Sequence, residues 1–218
     1  MDFQGTLSLA SSFLLTFTNP TFLSSLLYTL SYLLIGILTP LPLAFALGTL
    51  AGTKKRVDDI ILPVGMIVSC APGFIFGPLL LWLLGPSALA VILTSAFASF
   101  FTEFELIRSG IREIPKRLFD IVGSFNASTW QAMRHVVFPP IVPRILESFR
   151  ICISGIWDSV LAAEVLANVA GLGSFIFATT KTADTNTTIA GIVGIIAMTV
   201  LIDRLVFHRI EERVGRWK

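Results

Sequence analysis

Four carboxylates, Glu103, Glu105, Asp158 and Glu164, fall inside or beside long apolar stretches of this chain. An acid in such a place is costly, so it pairs with a cation, reaches for an interface or lines a watery path. Glu105 stands three residues before Arg108, a spacing that lets the two pair on one helical face. Asp158 shares a helical side with Ser148, Ile151, Gly155 and Ala162, all but one of them small, which suits close packing or a passage. Glu164 lies further along, within reach of the outer interface. The other reactive types form no constellation. His135 and His208 are the only histidines, and both fall outside the apolar stretches, so bis-histidine haem ligation between helices is not available. Cys70 and Cys152 lack CxxC spacing or a nearby His and read as small packing residues. No GxxxxGK[ST] run occurs, so the chain does not cradle a nucleotide's phosphates by that loop. The sequons at Asn126 and Asn186 are short enough to arise by chance. No catalytic residue, metal ligand or cofactor is assigned to this chain.

The elements that must position these residues are membrane helices. Of 218 residues, 54% are apolar and 14% charged, against about 25% charged in soluble domains. Crossing about 30 Å of hydrocarbon takes roughly 20 apolar residues at 1.5 Å each. Five windows qualify, at about 22–50, 60–84, 87–107, 141–166 and 187–207. Pro40 and Pro42 predict a kink or a helical lead-in within the first. Residues 1–20 hold an apolar run from Leu7 to Phe17, too short to span and without a basic flank. They read as an external or interfacial segment rather than a signal peptide. The expected fold is therefore all-α and polytopic, one transmembrane domain over 21–218.

Basic residues orient it. Of the 16 Lys and Arg residues, three lie at 54–56, seven between 108 and 150, and five after 203. Lys181 alone occupies the alternate connections, near Gly85–Pro86 and at 167–186. By the positive-inside rule the basic regions are cytoplasmic, with the N-terminus outside and the C-terminus inside. Lys54, Lys55 and Arg56 then serve as topology signals. A net charge of +2 makes no case for nucleic acid.

The long cytoplasmic connection, about 108–140, is polar yet patterned. Leu118, Ile121, Val122 and Phe125 recur at i, i+3, i+4 and i+7, one apolar face of a short helix. Asn126 tolerates a left-handed conformation and is placed to end that helix. Ser128 is placed to cap a second one, whose Trp130, Met133, Val136 and Val137 repeat the face until Pro139 stops it. Two short helices meeting at a turn result, apolar enough to dock on a protein or to lie on lipid headgroups.

This run resembles a known motif. Asp120-Ile121-Val122, Asn126, Val136, Phe138 and Pro139 follow the spacing of the EAA loop, E-A-A-x-x-x-G-x9-I-x-L-P, in membrane subunits of binding-protein-dependent ABC importers. Ala127-Ser128-Thr129-Trp130-Gln131 looks like the A-S-x-W-Q of the nitrate, sulfonate, taurine and bicarbonate branch. Phe149-Arg150-Ile151, Trp157 and Ala162-Ala163-Glu164 are similar to that branch's next helix. Gly171-Leu172-Gly173 resembles its external loop, and Asp203 with Glu211-Glu212-Arg213 its tail. Pro72 and Pro78 resemble its proline-interrupted helix, and Gly48 and Gly52 its first core helix. The resemblance covers about 22–218. It departs at the loop, where Asp120 replaces Glu, Ile121 and Val122 replace the alanines, and Asn126 replaces Gly. Relatives also commonly carry a further N-terminal helix.

The resemblance implies a MetI-like type I ABC permease core, multi-pass in a bacterial or archaeal cytoplasmic membrane. It implies that Asp120, Ile121, Val122, Asn126, Trp130, Val136, Phe138 and Pro139 couple to a cleft in a cytoplasmic ATPase. ATP and Mg would be bound by two such ATPases, whose closure would switch the core between outward- and inward-facing states. One loop per chain then requires two permease subunits, as a homodimer or with a homologue. An external solute-binding protein would deliver the solute. Pro72, Pro78, Ser148, Gly155, Asp158 and Glu164 are the candidates for the translocation path. The branch implies a small solute of the nitrate, sulfonate, taurine or bicarbonate type. The intramembrane acids keep open a neutral or cationic heterocycle such as a thiamine precursor. Two other classes stay open: a scaffold that holds a soluble partner without transport, and an intramembrane enzyme, which the missing nucleophile pairs weaken.

The topology is testable by labelling intact cells after removal of Cys70 and Cys152. A cysteine introduced by Asp184→Cys should react with an impermeant thiol reagent, and one introduced by Ser124→Cys should not. Equal labelling of both would overturn the five-span map.

Overall fold

The computed structural model describes residues 11, 15–125, 128–182, 185–202 and 204, and over them the chain is helical without a strand. Helix α1 (Pro20–Leu38) begins where the Asn19 Oδ1 accepts from the Thr21 N–H at 2.9 Å. Pro20 follows at a position whose N–H would be unpaired in any case. Thr39 and Pro40 interrupt the chain before α2 (Leu41–Thr53), the break that the prolines predict, and the two helices form one candidate span. Helices α3 (Lys55–Ser69) and α4 (Phe76–Leu84) are separated by a 3-10 turn at Gly73–Ile75 and bend by 86°. Gly85, at φ +72°, and Pro86 end α4, and the Ser87 Oγ caps α5 (Ala88–Arg112) by accepting from the Ala90 N–H. Next come α6 (Lys116–Ser124), α7 (Thr129–Ala132), a π-helical turn (Met133–Val137) and α8 (Phe138–Gly155). The chain ends its described course in α9 (Trp157–Ala167), α10 (Leu172–Lys181) and α11 (Thr185–Ile202).

Helix α5 is the hub, packed against α1, α2, α3, α4, α8 and α9. Lipid tails are as apolar as side chains, so membrane helices associate by close contact and interhelical hydrogen bonds. Glycines permit that contact. A Cβ on Gly36 of α1 would lie 1.5 Å from the Ser95 Oγ, and one on Gly52 of α2 would lie 2.8 Å from Ile111. The Ser95 hydroxyl donates to the Tyr32 carbonyl at 3.3 Å and the Ser99 hydroxyl to the Gly36 carbonyl at 3.5 Å. Apolar clusters form on the two halves of α5. One joins Val91 to Leu33, Ile37, Cys152 and Val160, and the other joins Phe104, Ile107 and Ile111 to Ala44, Ala51 and Ile141. Where α3 meets α5, buried Asp58 accepts from Arg108 and Arg112, and the Arg108 Nη1 also donates to Glu105 at 2.8 Å. The Glu105–Arg108 pair is the one expected at i,i+3.

Several expectations are corrected. The 60–84 window is a bent helix pair, because Pro72 and Gly73 break it. The 141–166 window is not one helix: it breaks at Ile156, and α8 carries Arg144, Glu147 and Arg150. The candidate span there is α9 with α10, bent by 64°. Among the described residues three helical stretches are apolar and long enough to cross a membrane, and up to five spans result if each bent pair counts as one. The 167–186 connection contains α10, since left-handed Asn168 stops α9 and Leu172 then buries against Phe22 and Leu26 of α1. The proposed common side of Ser148 and Asp158 is lost at the Ile156 break, which leaves Ser148 buried and Asp158 exposed. Pro139 does not stop a helix. The Phe138 N–H donates to the Met133 carbonyl, a π-type register that leads the chain into α8 past prolines that cannot donate. Cys152 is buried as expected, but Cys70 is exposed. Residues 1–10 and 12–14 of the N-terminal segment lie outside the described residues.

The α1–α5 contact makes a direct prediction. Gly36→Val should lower the thermal aggregation midpoint of the purified protein, through an overpacking cost of about 1–3 kcal/mol. Adding Ser95→Gly should recover part of the loss. An unchanged midpoint in Gly36→Val would mean that α1 and α5 are not held this closely.

Candidate functional site

Helices α6 and α7 carry the motif residues away from the bundle. Among the described residues no other element packs along α6. Its apolar positions face outward: Ile121 is 51% exposed, Phe125 just beyond it 80%, and Trp130 of α7 72%. Leu118 and Asp120 are exposed beside them. Ser128 caps α7 as expected. Its N–H donates to the Gln131 Oε1 at 2.8 Å, and the Gln131 N–H donates to the Ser128 Oγ at 3.3 Å, a reciprocal capping box. Asn126 and the side chain of Val122 lie outside the described residues.

The downstream half of the motif is anchored instead. Val136 is half-buried, and Val137 is buried in one cluster with Ile107 and Ile141. Phe138 remains half-exposed but meets Phe45 of α2 edge-on, with ring centroids 6.5 Å apart. Pro139 is exposed. Arg144 of α8 pairs with Glu113 at the end of α5 and with Glu147 at 3.1 Å. The motif therefore has a free apolar half and a half fixed to α2 and α5.

A cavity of about 270 Å³ lies where two helices break. Ser69, Pro72, Gly73 and Phe76 line it from the α3–α4 break, and Gly155, Asp158 and Ser159 from the α8–α9 break. Phe97, Phe101 and Thr102 of α5 close the third side. Breaks leave backbone groups without helical partners, and at membrane depth these are tolerated only against protein or a polar cavity. Asp158 stands in the first turn of α9, its Oδ1 accepting from the Ser159 N–H at 2.8 Å and from the Ser159 hydroxyl at 3.3 Å. Phe76 stacks on Phe97, centroids 5.4 Å apart.

Three candidates for the path, Pro72, Gly155 and Asp158, are thus brought together, and three are not. Pro78 is exposed on α4 outside the cavity. Ser148 is buried, its hydroxyl donating to the Ile145 carbonyl at 2.8 Å. Glu164 does not reach an outer interface, because it is fully buried at a junction of α1, α9 and α10. The Thr29 hydroxyl donates to it at 2.6 Å and the Gly173 N–H at 2.7 Å, while the Leu172 N–H donates to the Thr29 oxygen at 2.8 Å. A Cβ on Gly171 would lie 2.2 Å from the Glu164 carboxyl carbon, which accounts physically for the Gly-Leu-Gly run. Glu103 is also fully buried, and among the described residues neither of its oxygens meets a donor within hydrogen-bond geometry, the Ser99 hydroxyl one turn back bonding backbone carbonyls instead. The sequence alone does not single out Phe76, Phe97, Phe101, Thr102 or Ser159. Phe97 and Phe101 share a helical face at i, i+4, but that spacing fits core packing equally well. Among the described residues no group of three His, Cys, Asp or Glu could hold a metal ion.

Known proteins share this architecture. A solved structure described as an amino acid ABC transporter with histidines superposes at a TM-score of 0.69 with 19% identity, over 98% of this chain and 99% of that one. At that identity the likeness speaks for the fold alone. The putative aliphatic sulfonates transport permease protein SsuC of Bacillus subtilis is 26% identical over 184 residues, 84% of this chain and 66% of the relative. The taurine transport system permease protein TauC of Escherichia coli is 23% identical over 201 residues, 92% of this chain and 73% of the relative. The nitrate import permease protein NrtB of Synechocystis is 25% identical over 181 residues, 82% of this chain and 65% of the relative. The chain thus spans about two thirds of the length of the curated relatives it matches. Residues 40–214 match the family described as the binding-protein-dependent transport system inner membrane component, and the chain belongs to that family.

Proposed function

We propose that this chain is the permease subunit of an ATP-driven importer and that α6 and α7 couple it to a cytoplasmic ATPase. One observation carries the proposal: Ile121, Phe125 and Trp130 present an exposed apolar face whose downstream continuation is fixed to α2 and α5. A face that only rested on headgroups would have no need of this anchorage, whereas a lever needs both a free end and a fulcrum. ATP and Mg would be held by two ATPase subunits, and hydrolysis would take place there rather than in this chain. A second permease subunit, the same chain or a homologue, would complete the path, and an external binding protein would load it. Movement imposed on α6 would pass through the Met133–Val137 turn into α8, and through α8 to the Gly155–Ile156 break beside the cavity. The names of the relatives, which specify sulfonates, taurine and nitrate, favour a small polar solute.

Charge reversal and backbone disruption in the loop test the coupling. Asn126→Pro removes a backbone donor and disfavours helix at Phe125, a disruption of about 3 kcal/mol where the turn is helical. It should abolish co-purification of the ATPase, and Asp120→Arg should weaken it. Asn126→Gly should retain it, because Gly reaches left-handed conformations at less cost. The readouts are the ATPase recovered with each variant and the solute-stimulated hydrolysis of the reconstituted complex. A coupled ATPase in both Asn126→Pro and Asp120→Arg would remove the segment from the mechanism and leave a headgroup-bound hairpin or a scaffold contact in its place.

A further inference from the structure

We infer that the cavity between the two helix breaks selects a solute carrying a positively charged nitrogen, held between the Asp158 carboxylate and the rings of Phe76, Phe97 and Phe101. The inference rests on the proposed transport function and narrows its solute. Among the described residues a single ionisable side chain lines the cavity, and it is an acid; no Lys, Arg or His among them does so. Ser159 occupies one oxygen of Asp158, and the other has no partner among the described residues. The contrast with the other intramembrane acids is informative. Asp58 is met by two arginines, and Glu164 by a hydroxyl and a backbone N–H, so their acceptors are already engaged. Glu103 also lacks partners but is fully buried away from the cavity, whereas Asp158 lines it.

Helix dipoles do not reverse the sign. Two helices end at this cavity, α3 at Ser69 and α8 at Gly155, and two segments begin there, with Phe76 of α4 and Asp158 of α9. Their negative and positive ends offset one another, which leaves the carboxylate to set the potential. In a space of restricted dielectric response a single carboxylate repels anions and attracts cations. Aromatic faces add a second attraction for an ammonium or a protonated ring nitrogen and none for an anion. At about 270 Å³ the space admits a small solute. A solute whose only charge is negative gains nothing from this cavity. A zwitterion enters by its cationic end.

Charge-selective labelling tests this without any need for ATPase or transport. A reporter cysteine is introduced by Thr102→Cys into the full chain carrying Cys70→Ser and Cys152→Ala. Its reaction with trimethylammonium-ethyl methanethiosulfonate is compared with that of the sulfonatoethyl reagent, each normalised to a free thiol. The cationic reagent should be favoured by about tenfold. Asp158→Asn should return the ratio to the free-thiol value, and Asp158→Glu, which keeps the charge, should retain it. Benzyltrimethylammonium should slow the labelling, and benzenesulfonate at the same concentration should not. Preference for the anionic reagent, a ratio indifferent to Asp158→Asn, or equal protection by both aromatic ions would overturn the inference. So would a reporter that reacts with neither reagent, since the cavity would then be closed to solutes. If the charge preference holds while the loop variants stay coupled, the coupling role of α6 and α7 fails on its own and the selectivity stands.

Discussion

Close contact along α5 is the constraint on which the other elements depend. In hydrocarbon an unbroken helix satisfies its own backbone and has no hydrophobic reason to prefer a neighbour over lipid. What holds α1 and α2 to α5 is the absence of side chains at Gly36 and Gly52, and the hydroxyls of Ser95 and Ser99 that reach carbonyls of α1 across the gap. With those two helices fixed, α5 still has faces for α4, α8 and α9, and each of these abuts a break. A broken helix cannot hold itself at membrane depth. The breaks at Pro72–Gly73 and Ile156 are stable because α5 holds both sides of each, and the cavity exists because both breaks occur against the same helix.

The acids show how one side-chain type takes different roles according to what surrounds it. Asp58 pairs with two arginines and ties α3 to α5, and Glu105 supplies the second negative charge beside Arg108. Glu164, on α9, is held by neutral donors from α1 and from the first turn of α10, so three separate segments meet on one carboxyl group. Removing such a group would free the Gly173 N–H in a buried place, where an unmade hydrogen bond costs about 1–3 kcal/mol, while the Thr29 hydroxyl would turn to the Ser25 carbonyl at 3.1 Å. Glu103 meets neither an arginine nor a donor of this kind within hydrogen-bond geometry among the described residues.

Local chemistry was the part of the fold most legible in the sequence. Ser128 as a helix cap and the interruption near Pro40 depend on hydrogen bonds and dihedral preferences within a few residues, and both hold. The family resemblance likewise rested on short runs and led to the right family. The Ile156 break was not legible, because Ile156 and Trp157 are positioned by a cluster that draws on α1 and α5. Nor was α10, whose short apolar run is stabilised by Phe22 and Leu26 far upstream. Of the candidate site, Pro72 could be picked out as a helix interrupter, Gly155 as a small residue on a shared helical side and Asp158 as a costly charge. The rings could not, since an apolar Phe97 or Phe101 reads the same in a core as in a cavity wall. Glu164 was visible as an anomaly, but its partner Thr29 lies 135 residues away and no spacing announces it.

Helix α8 joins the two candidate regions. It runs 18 residues from Phe138 to Gly155, about 27 Å at 1.5 Å per residue. Its first turn rests on α2 and α5 through Phe138 and Ile141, and its last turn meets α5 where Cys152 approaches the Ser99 carbonyl. A helix held at both ends by one neighbour moves as a rod along or about that neighbour rather than bending. In the proposed transporter, displacement of the free α6–α7 face therefore arrives at Gly155 and Ile156, where the chain changes direction and Asp158 begins the next helix. The π-helical turn at Met133–Val137 is the compliant joint in that train, since its wider register can tighten to the α form without breaking the chain. Coupling and solute selection would then share one helix, with the loop acting at one end and the carboxylate responding just beyond the other.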